Sequence, residues 1–316
     1  MLDRPTAPAR RPQAALLADG RRLHLQDGPI DLVIEAVGTD AAVALAYGAA
    51  QERFTGLLDA LCAELPLLRR PPTASDALAG PVARRMQAAV LPYAQEGFIT
   101  PMAAVAGAVA EEILAAMVRP GLNRAYVNNG GDIALFITPG ASFTVGLVDR
   151  PDQPRLIGKA VLGSESGVRG IATSGWRGRS FSLGIADAVT VLAATAAAAD
   201  AAATVIANAV DLPGHAGVLR VPAHDLQPDS DLGARRVTRA VADLSPGERD
   251  AALARGLACA TLLMRRGLIH AAALHLQGRS IATDADLLSG GALPAPEGDV
   301  APLFRVQHPE KEHAHA

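Results

Sequence analysis

The sequence predicts an α+β protein: antiparallel sheets with packed, alanine-rich helices. Three observations lead there. Asx-Gly pairs, Asp19-Gly20 and Asp27-Gly28, separate short alternating runs near the start, and such pairs are the strongest short-range signal for a hairpin. Short β-branched runs then follow one another between residues 124 and 191 without the regular strand–helix alternation of a parallel sheet. No GxGxxG follows a strand and no GxxxxGK[ST] occurs, so the dinucleotide-binding and P-loop designs drop out.

The elements can be taken in order. Residues 1–13 read as a disordered leader with Pro and Arg but no apolar run, which excludes a secretory signal. Runs at 14–18, 22–26 and 30–37 form a small antiparallel meander. Thr39 caps a helix expected to reach about residue 65, where Pro66 ends it. A second helix runs from 84 to about 91. A third occupies 102–117, with Thr100 as cap, Pro101 at its first position, and Glu111 and Glu112 closing its small-residue section. Strands are expected at 125–127, 133–138, 143–148, 159–162, 168–173, 181–183 and 189–193. An Ala-rich helix spans 196–210, and 213–239 reads as irregular with short strands. Ser245 and Glu248 make a capping box for a helix to about residue 266, and 268–276 returns as a strand. One domain is expected over 14–293, with room for two subdomains, and a flexible tail over 294–316.

Half of the 316 residues are hydrophobic but only 3% are aromatic, so Ala, Val, Leu and Ile must build the core. The net charge of −3 lacks the basic excess that nucleic acid demands. The most apolar stretch, 185–210, is interrupted by Asp187, Asp200 and Asn208 and makes a poor membrane span. The expectation is a soluble, cytoplasmic protein with no nucleic-acid or membrane partner. Cys62 and Cys259 lie far apart in apolar stretches and are expected as buried, reduced thiols.

Three constellations bear on chemistry. Asn128-Asn129-Gly130-Gly131-Asp132 is either a hairpin turn or a backbone loop pressed against a ligand, since two glycines remove side chains where Asn and Asp supply donors and acceptors. The stretch 170–180 gathers Thr173, Ser174, Gly175, Trp176, Arg177 and Arg179. It reads as a polar loop, or as amides and guanidinium groups for a phosphate, with Trp176 against a flat ring. In the Ala-rich helix, Asp200, Thr204 and Asn208 share one face at i, i+4, i+8. That stripe is either solvent-facing or a set of oxygen ligands for a hard cation such as magnesium. Asp187 is a candidate second ligand or a turn residue. His215, His224, His270 and His275 have no sequence partner that marks a catalytic pair, and neither GxSxG nor HExxH is present.

Taken in order, Asn128-Asn129-Gly130-Gly131-Asp132, Ala172-Thr173-Ser174-Gly175 and Ala199-Asp200-Ala201-Ala202-Ala203-Thr204 resemble the N-x-G-G-[DEN], A-T-S-G and A-D-A-x-A-T motifs of the ApbE-like (FAD:protein FMN transferase) superfamily. The fuller pattern around 100–108 and 178–187 is similar to the branch called uncharacterised protein family 0280. The resemblance implies a T-fold-like architecture, FAD and magnesium as cofactors, and transfer of FMN to a Thr or Ser of an acceptor protein. It makes Asp200 and Thr204 metal ligands. It places Asn128, Gly130, Gly131, Asp132, Thr173, Ser174, Gly175 and Arg179 around the nucleotide. Two departures bear on activity. The A-K-G element reads Val105-Ala106-Gly107-Ala108, without Lys, and the H-x-x-D-P-x-T-G element is replaced by residues 181–187, without His. Loss of a general base costs ~10²–10⁴ in rate. The alternatives are therefore a non-catalytic flavin- or nucleotide-binding protein, or an enzyme using the scaffold on another small molecule. A homodimer would cover exposed strand edges.

Overall fold

The computed structural model describes residues 12–150 and 155–284. Of the expected leader only the last two residues are included. The tail, with His308, His313 and His315, lies outside the described residues.

The strands are β1 (Gln13–Leu16), β2 (Leu23–Asp27), β3 (Ile30–Gly38), β4 (Leu122–Asn129), β5 (Asp132–Ile137), β6 (Ser142–Val148), β7 (Leu156–Gly163), β8 (Gly170–Ser174), β9 (Ala188–Ala193), β10 (Val218–Pro222), β11 (Arg236–Val241), β12 (Ala271–Leu276) and β13 (Arg279–Ala282). The helices are α1 (Asp40–Phe54), α2 (Leu57–Leu68), α3 (Pro81–Val90), α4 (Val105–Met117), α5 (Ala196–Ala209), the single turn α6 (Ala223–Leu226) and α7 (Pro246–Arg265). Nine strands form one sheet in the order β1-β2-β3-β4-β5-β8-β9-β12-β13, each pair antiparallel. Two hairpins, β6-β7 and β10-β11, stand outside it. This is the α+β architecture expected.

Alternation sets the faces. Along β3 every second residue from Ile30 is buried, and those side chains join the large core beneath the helices. The opposite face carries a smaller core: Leu135, Ile137, Ile171 and Leu192 of the sheet pack against Leu147, Ala160 and Leu162 of β6-β7. With cover on both sides, β9 and β12 are buried throughout. The low aromatic content has a visible consequence at α5, where seven of the eight buried residues are Ala. A Cβ on Gly107 of α4 would collide with the Ala196 backbone, so glycine there lets α4 and α5 meet backbone to backbone.

Several expectations need correction. The helix expected to run from 39 to 65 is two, because Gly56 takes a left-handed conformation (φ 75) between α1 and α2. Pro66 does not end α2 but sits in its last turn, where its missing N–H removes one hydrogen bond only. Residues 102–104 belong to a 3-10 turn, Pro101–Ala104, ahead of α4. Residues 181–183 are loop, not strand: Asn208 Oδ1 accepts from Leu183 N (2.9 Å) and Ser182 Oγ (3.3 Å) in place of a ladder. β12 starts at Ala271, and β13 was not foreseen; Gln277 (φ 43) and Gly278 (φ 81) turn one into the other. Cys62 is exposed and Cys259 half-buried. The capping box at Ser245 and Glu248 is present.

The register places five strand ends together. Asn129 pairs with Asp132, Ile133 with Ile171, Ser174 with Val189, and Ala188 with His275. The end of β4, the start of β5, the end of β8, the start of β9 and the end of β12 therefore share one rim of the sheet.

Candidate functional site on one rim of the sheet

The turn between β4 and β5 is built from Gly130 (φ 65) and Gly131 (φ 115), conformations that a side chain resists. Asn128 Oδ1 accepts from Gly131 N at 2.8 Å and closes the turn from inside. Asn129 Nδ2 donates to Ala106 O at 3.1 Å and ties the turn to the residues that open α4. The guanidinium of Arg179 lies against Gly130, in the space a Cβ would fill. The stretch is a hairpin turn, and its glycines admit the Arg179 guanidinium to the backbone.

Asp132 follows the turn. Its Oδ1 accepts from Thr173 N at 3.2 Å, joining the first motif to the second. Asp200, on α5, accepts from Gly107 N at 3.0 Å through Oδ2. Burial raises the Asp132 carboxyl to about 7, against the opposing pull of the Thr173 amide and the Arg179 charge. Asp200 is raised well above the usual carboxylate range, by burial first and then by the charge of Asp132, with the Gly107 and Ala106 amides opposing. The fold thus holds two carboxylates close enough to repel each other, and a few backbone amides do not compensate them. Thr204 stands one turn further along α5, half-buried.

Thr173 and Ser174 end β8, and Thr173 Oγ1 lies 2.9 Å from Thr190 Oγ1. Gly175 leaves no room for a Cβ against the backbone of Ala186 and Asp187. Beyond it, Asp187 is 2% exposed and takes three donors: Trp176 Nε1 at 3.1 Å, Arg177 Nε at 2.6 Å and Gln277 N at 2.6 Å. Asp187 is therefore the turn residue, not a second metal ligand. Trp176 is likewise occupied within the protein, with the Arg177 guanidinium 4.3 Å from its ring centre.

The structure brings Asn128, Gly130, Gly131, Asp132, Thr173, Arg179 and Asp200 into one neighbourhood, with Ser174 and Gly175 at its edge. Asn208 leaves the expected stripe on α5 to hold residues 182 and 183. Sequence reasoning missed Asn129 and the Ala106–Gly107 backbone. The signal for the latter was the altered A-K-G element. It missed also that Glu111 Oε1 accepts from Ala197 N at 2.7 Å, capping α5 from α4. Of the histidines, His215 pairs with Glu248 and His275 Nδ1 with Ser280 Oγ, both structural arrangements.

The donor set fits a hard divalent cation: two carboxylates of raised proton affinity and a nearby hydroxyl offer oxygen only. Among the described residues no group of three or more His, Cys, Asp or Glu is placed to hold a metal unaided. Phosphate oxygens and water would have to complete the shell.

This fold and the ordered trio of motifs at one sheet rim define an ApbE-like protein. A family model described as AbpE bacteria matches residues 14–282, and the chain belongs to that family. UPF0280 proteins of several archaea are similar to part of this chain. One from Methanopyrus kandleri is 46% identical over 129 residues, 40% of this chain and 48% of that protein. One from Methanothermobacter thermautotrophicus is 40% identical over 136 residues, 42% and 50% of the two chains. The match spans about half the length of these curated relatives. Among solved structures, the apo form of the Pseudomonas stutzeri flavinyl transferase ApbE is 12% identical, covers 90% of this chain and 100% of its own, and has a TM-score of 0.48. A likeness of that degree carries no information on substrate. Among the described residues no helix is long and apolar enough to cross a membrane.

Proposed function

We propose that this chain binds FAD together with magnesium at the rim formed by residues 128–132, 173–175, Arg179 and α5, as a cytoplasmic protein of the flavin-transferase type. The observation that carries the reading is the pair of mutually repelling carboxylates, Asp132 and Asp200, beside a glycine turn that presses a guanidinium to its backbone. A divalent cation would relieve that repulsion, with Asp200 and Thr204 as ligands, and it would neutralise a pyrophosphate while the bond to AMP breaks. Gly130 and Gly131 give the nucleotide access to backbone, Asn128 holds the turn in shape, and Thr173, Ser174 and Gly175 border the ligand. Arg179 contributes its charge to a phosphate oxygen. An acceptor protein would supply the attacking hydroxyl, and a homodimer would cover the free sheet edges.

One observation favours a second reading, binding without transfer. None of the residues gathered around Asp132 and Asp200 is a histidine, and Asp187, in the loop that replaces the family's His-bearing element, has its carboxylate tied by three donors. Calorimetric titration with FAD, with and without magnesium, tests the shared part of both readings, and chromatography of the same samples for AMP and FMN, with water attacking in place of the acceptor hydroxyl, separates them. Binding that needs magnesium, with AMP released, supports the transferase reading. Binding without AMP supports the second. Absence of FAD binding in both conditions would overturn both.

A further inference from the structure

The indole expected to meet a flat ring, Trp176, already carries the Arg177 guanidinium, 4.3 Å from its ring centre. A second stack of this kind borders the candidate site: the Arg235 guanidinium lies 3.2 Å from the centre of the Phe98 ring. The two arginines are held differently. Arg177 is bound to the Asp187 carboxylate. Arg235 is exposed, and among the described residues its guanidinium meets no acid and no hydrogen-bond acceptor. We propose that the Arg235–Phe98 stack is a ring platform, whose open guanidinium face takes a flat heteroaromatic ring of the bound nucleotide, isoalloxazine or adenine. This rests on the flavin-nucleotide reading and adds to it the side chains that recognise a ring.

Placement is the first argument. Gly107 N donates to Asp200 Oδ2 at 3.0 Å, whereas Glu111, one turn later in α4, accepts from Ala197 N at 2.7 Å, earlier in α5. The two helices therefore run in opposite directions. Read backward from Gly107, the 3-10 turn Pro101–Ala104 packs against α5 on the Thr204 side. Phe98 comes next, no more than about 20 Å from Gly107 by the rise of the segment, a separation that a dinucleotide spans. On the other flank, β11 follows Arg235 directly. Thr238 of that strand donates to Ser182 O at 2.9 Å and to Gly184 O at 2.8 Å. Arg235 thus stands between the approach to α4 and the loop that follows Arg179.

Rigidity is the second. Arg235 N donates to Leu232 O at 3.0 Å, and Arg235 O accepts from Ala223 N at 2.9 Å. Asp231, four residues earlier, accepts from the hydroxyl of Thr100, which is 2% exposed. Asp229 accepts from Arg69 Nη2 at 2.8 Å. The segment is tied down on several sides, and Phe98 fixes the plane of the guanidinium, so little side-chain entropy remains to be lost when a ring stacks on it. A planar, delocalised and weakly hydrated guanidinium stacks on aromatic faces, as it already does on Phe98. Its N–H groups remain to donate to a ring nitrogen or carbonyl oxygen at the edge of the ligand.

The test is calorimetry of the full chain in magnesium, titrated separately with FAD, FMN and AMP. Arg235→Ala and Phe98→Leu are each expected to weaken FAD about tenfold, and Arg235→Lys to leave that loss in place, because a point charge offers no plane. Arg235 makes its bonds within the loop through backbone atoms, so alanine keeps them, and an unchanged thermal melt should accompany the loss. Weakening of AMP with FMN unchanged assigns adenine to the platform; the converse assigns isoalloxazine. Three results overturn the proposal: FAD binding unchanged in Arg235→Ala, full recovery in Arg235→Lys, which would make the contact one of charge, or a loss seen in Phe181→Leu and not in Phe98→Leu, which would put the ring on the loop after Arg179. The parent separates this failure from that of the underlying reading. FAD bound equally by parent and Arg235→Ala sinks the platform alone, whereas no FAD binding by the parent sinks the flavin reading and the platform with it.

Discussion

Two sets of carboxylates lie on the same rim, two strand steps apart, and the fold treats them in opposite ways. Asp187 receives three donors from two segments, one an arginine. Asp132 and Asp200 each receive a backbone amide, and each is pushed toward protonation by burial, Asp200 also by Asp132. A carboxylate supplied with all its donors builds structure, because its desolvation is offset within the chain. A pair left short of donors is poised for a cation from outside. The difference teaches where to look for a ligand: at the acids the protein declines to satisfy.

Mutation of the two sets should therefore give opposite signs. Asp187→Ala removes the shared acceptor of Arg177 Nε, Trp176 Nε1 and Gln277 N, and is expected to cost about 3–5 kcal/mol of stability, read as a lower midpoint in urea denaturation. A loss under about 1 kcal/mol would sink the claim that Asp187 organises this end of the rim. Asp200→Asn comes next. The amide keeps an acceptor for Gly107 N and removes the repulsion, so stability is expected to stay level or rise, while magnesium-dependent FAD binding falls by roughly 100-fold. Unchanged binding in that variant would remove Asp200 from the metal site.

The third effect is smaller and depends on pH. Both acids have folded-state proton affinities above the unfolded value of about 3.9. The native state then binds protons more tightly than the unfolded chain. This contribution to stability is fully present below the unfolded value and is lost as pH rises through the raised one, about 7 for Asp132. Magnesium takes the place of the proton. Its stabilisation of the protein, measured as a shift in Tm, is expected to be larger by a few degrees at about pH 8 than at about pH 5. Equal shifts at the two values would argue that these carboxyls do not hold the metal.

Much of this contrast was legible in the sequence, but unevenly. The meander, the capping box and the Ala-rich α5 were readable because each rests on local rules: Asx-Gly turns, Ser-to-Glu capping, helical spacing. The trio of motifs located the site, since glycine pairs and an acid in an apolar helix are conspicuous at the level of sequence. What the sequence did not show was partnership across the fold. Asp187 is tied to Gln277, 90 positions away, and Asn208 to Leu183, 25 away. Nothing local distinguishes a carboxylate held by an arginine, an indole and an amide from one that meets backbone amides alone, so Asp187 and Asp200 looked alike as ligand candidates. β13 was missed for a related reason: its turn uses Gln277 at φ 43, where a residue other than Gly or Asn gives little local warning.

The smallest effect concerns Arg179, and it sharpens the comparison from the cationic side. Arg177 and Arg179 are two residues apart, yet Arg177 is anchored by Asp187 and Trp176 whereas Arg179 is exposed and rests on Gly130. An exposed arginine on a glycine turn adds little to folding, because solvent screens its charge. Arg179→Ala should therefore leave the urea midpoint within about 0.5 kcal/mol of the parent. FAD binding in magnesium should weaken roughly tenfold, the ~1.4 kcal/mol of one charge-assisted contact to phosphate. Arg179→Lys should recover part of that loss, since a point charge still reaches an oxygen without the fork. If Arg179→Ala instead lowers stability and leaves binding alone, the guanidinium over Gly130 is a structural clamp on the turn, and the contrast between the two arginines collapses.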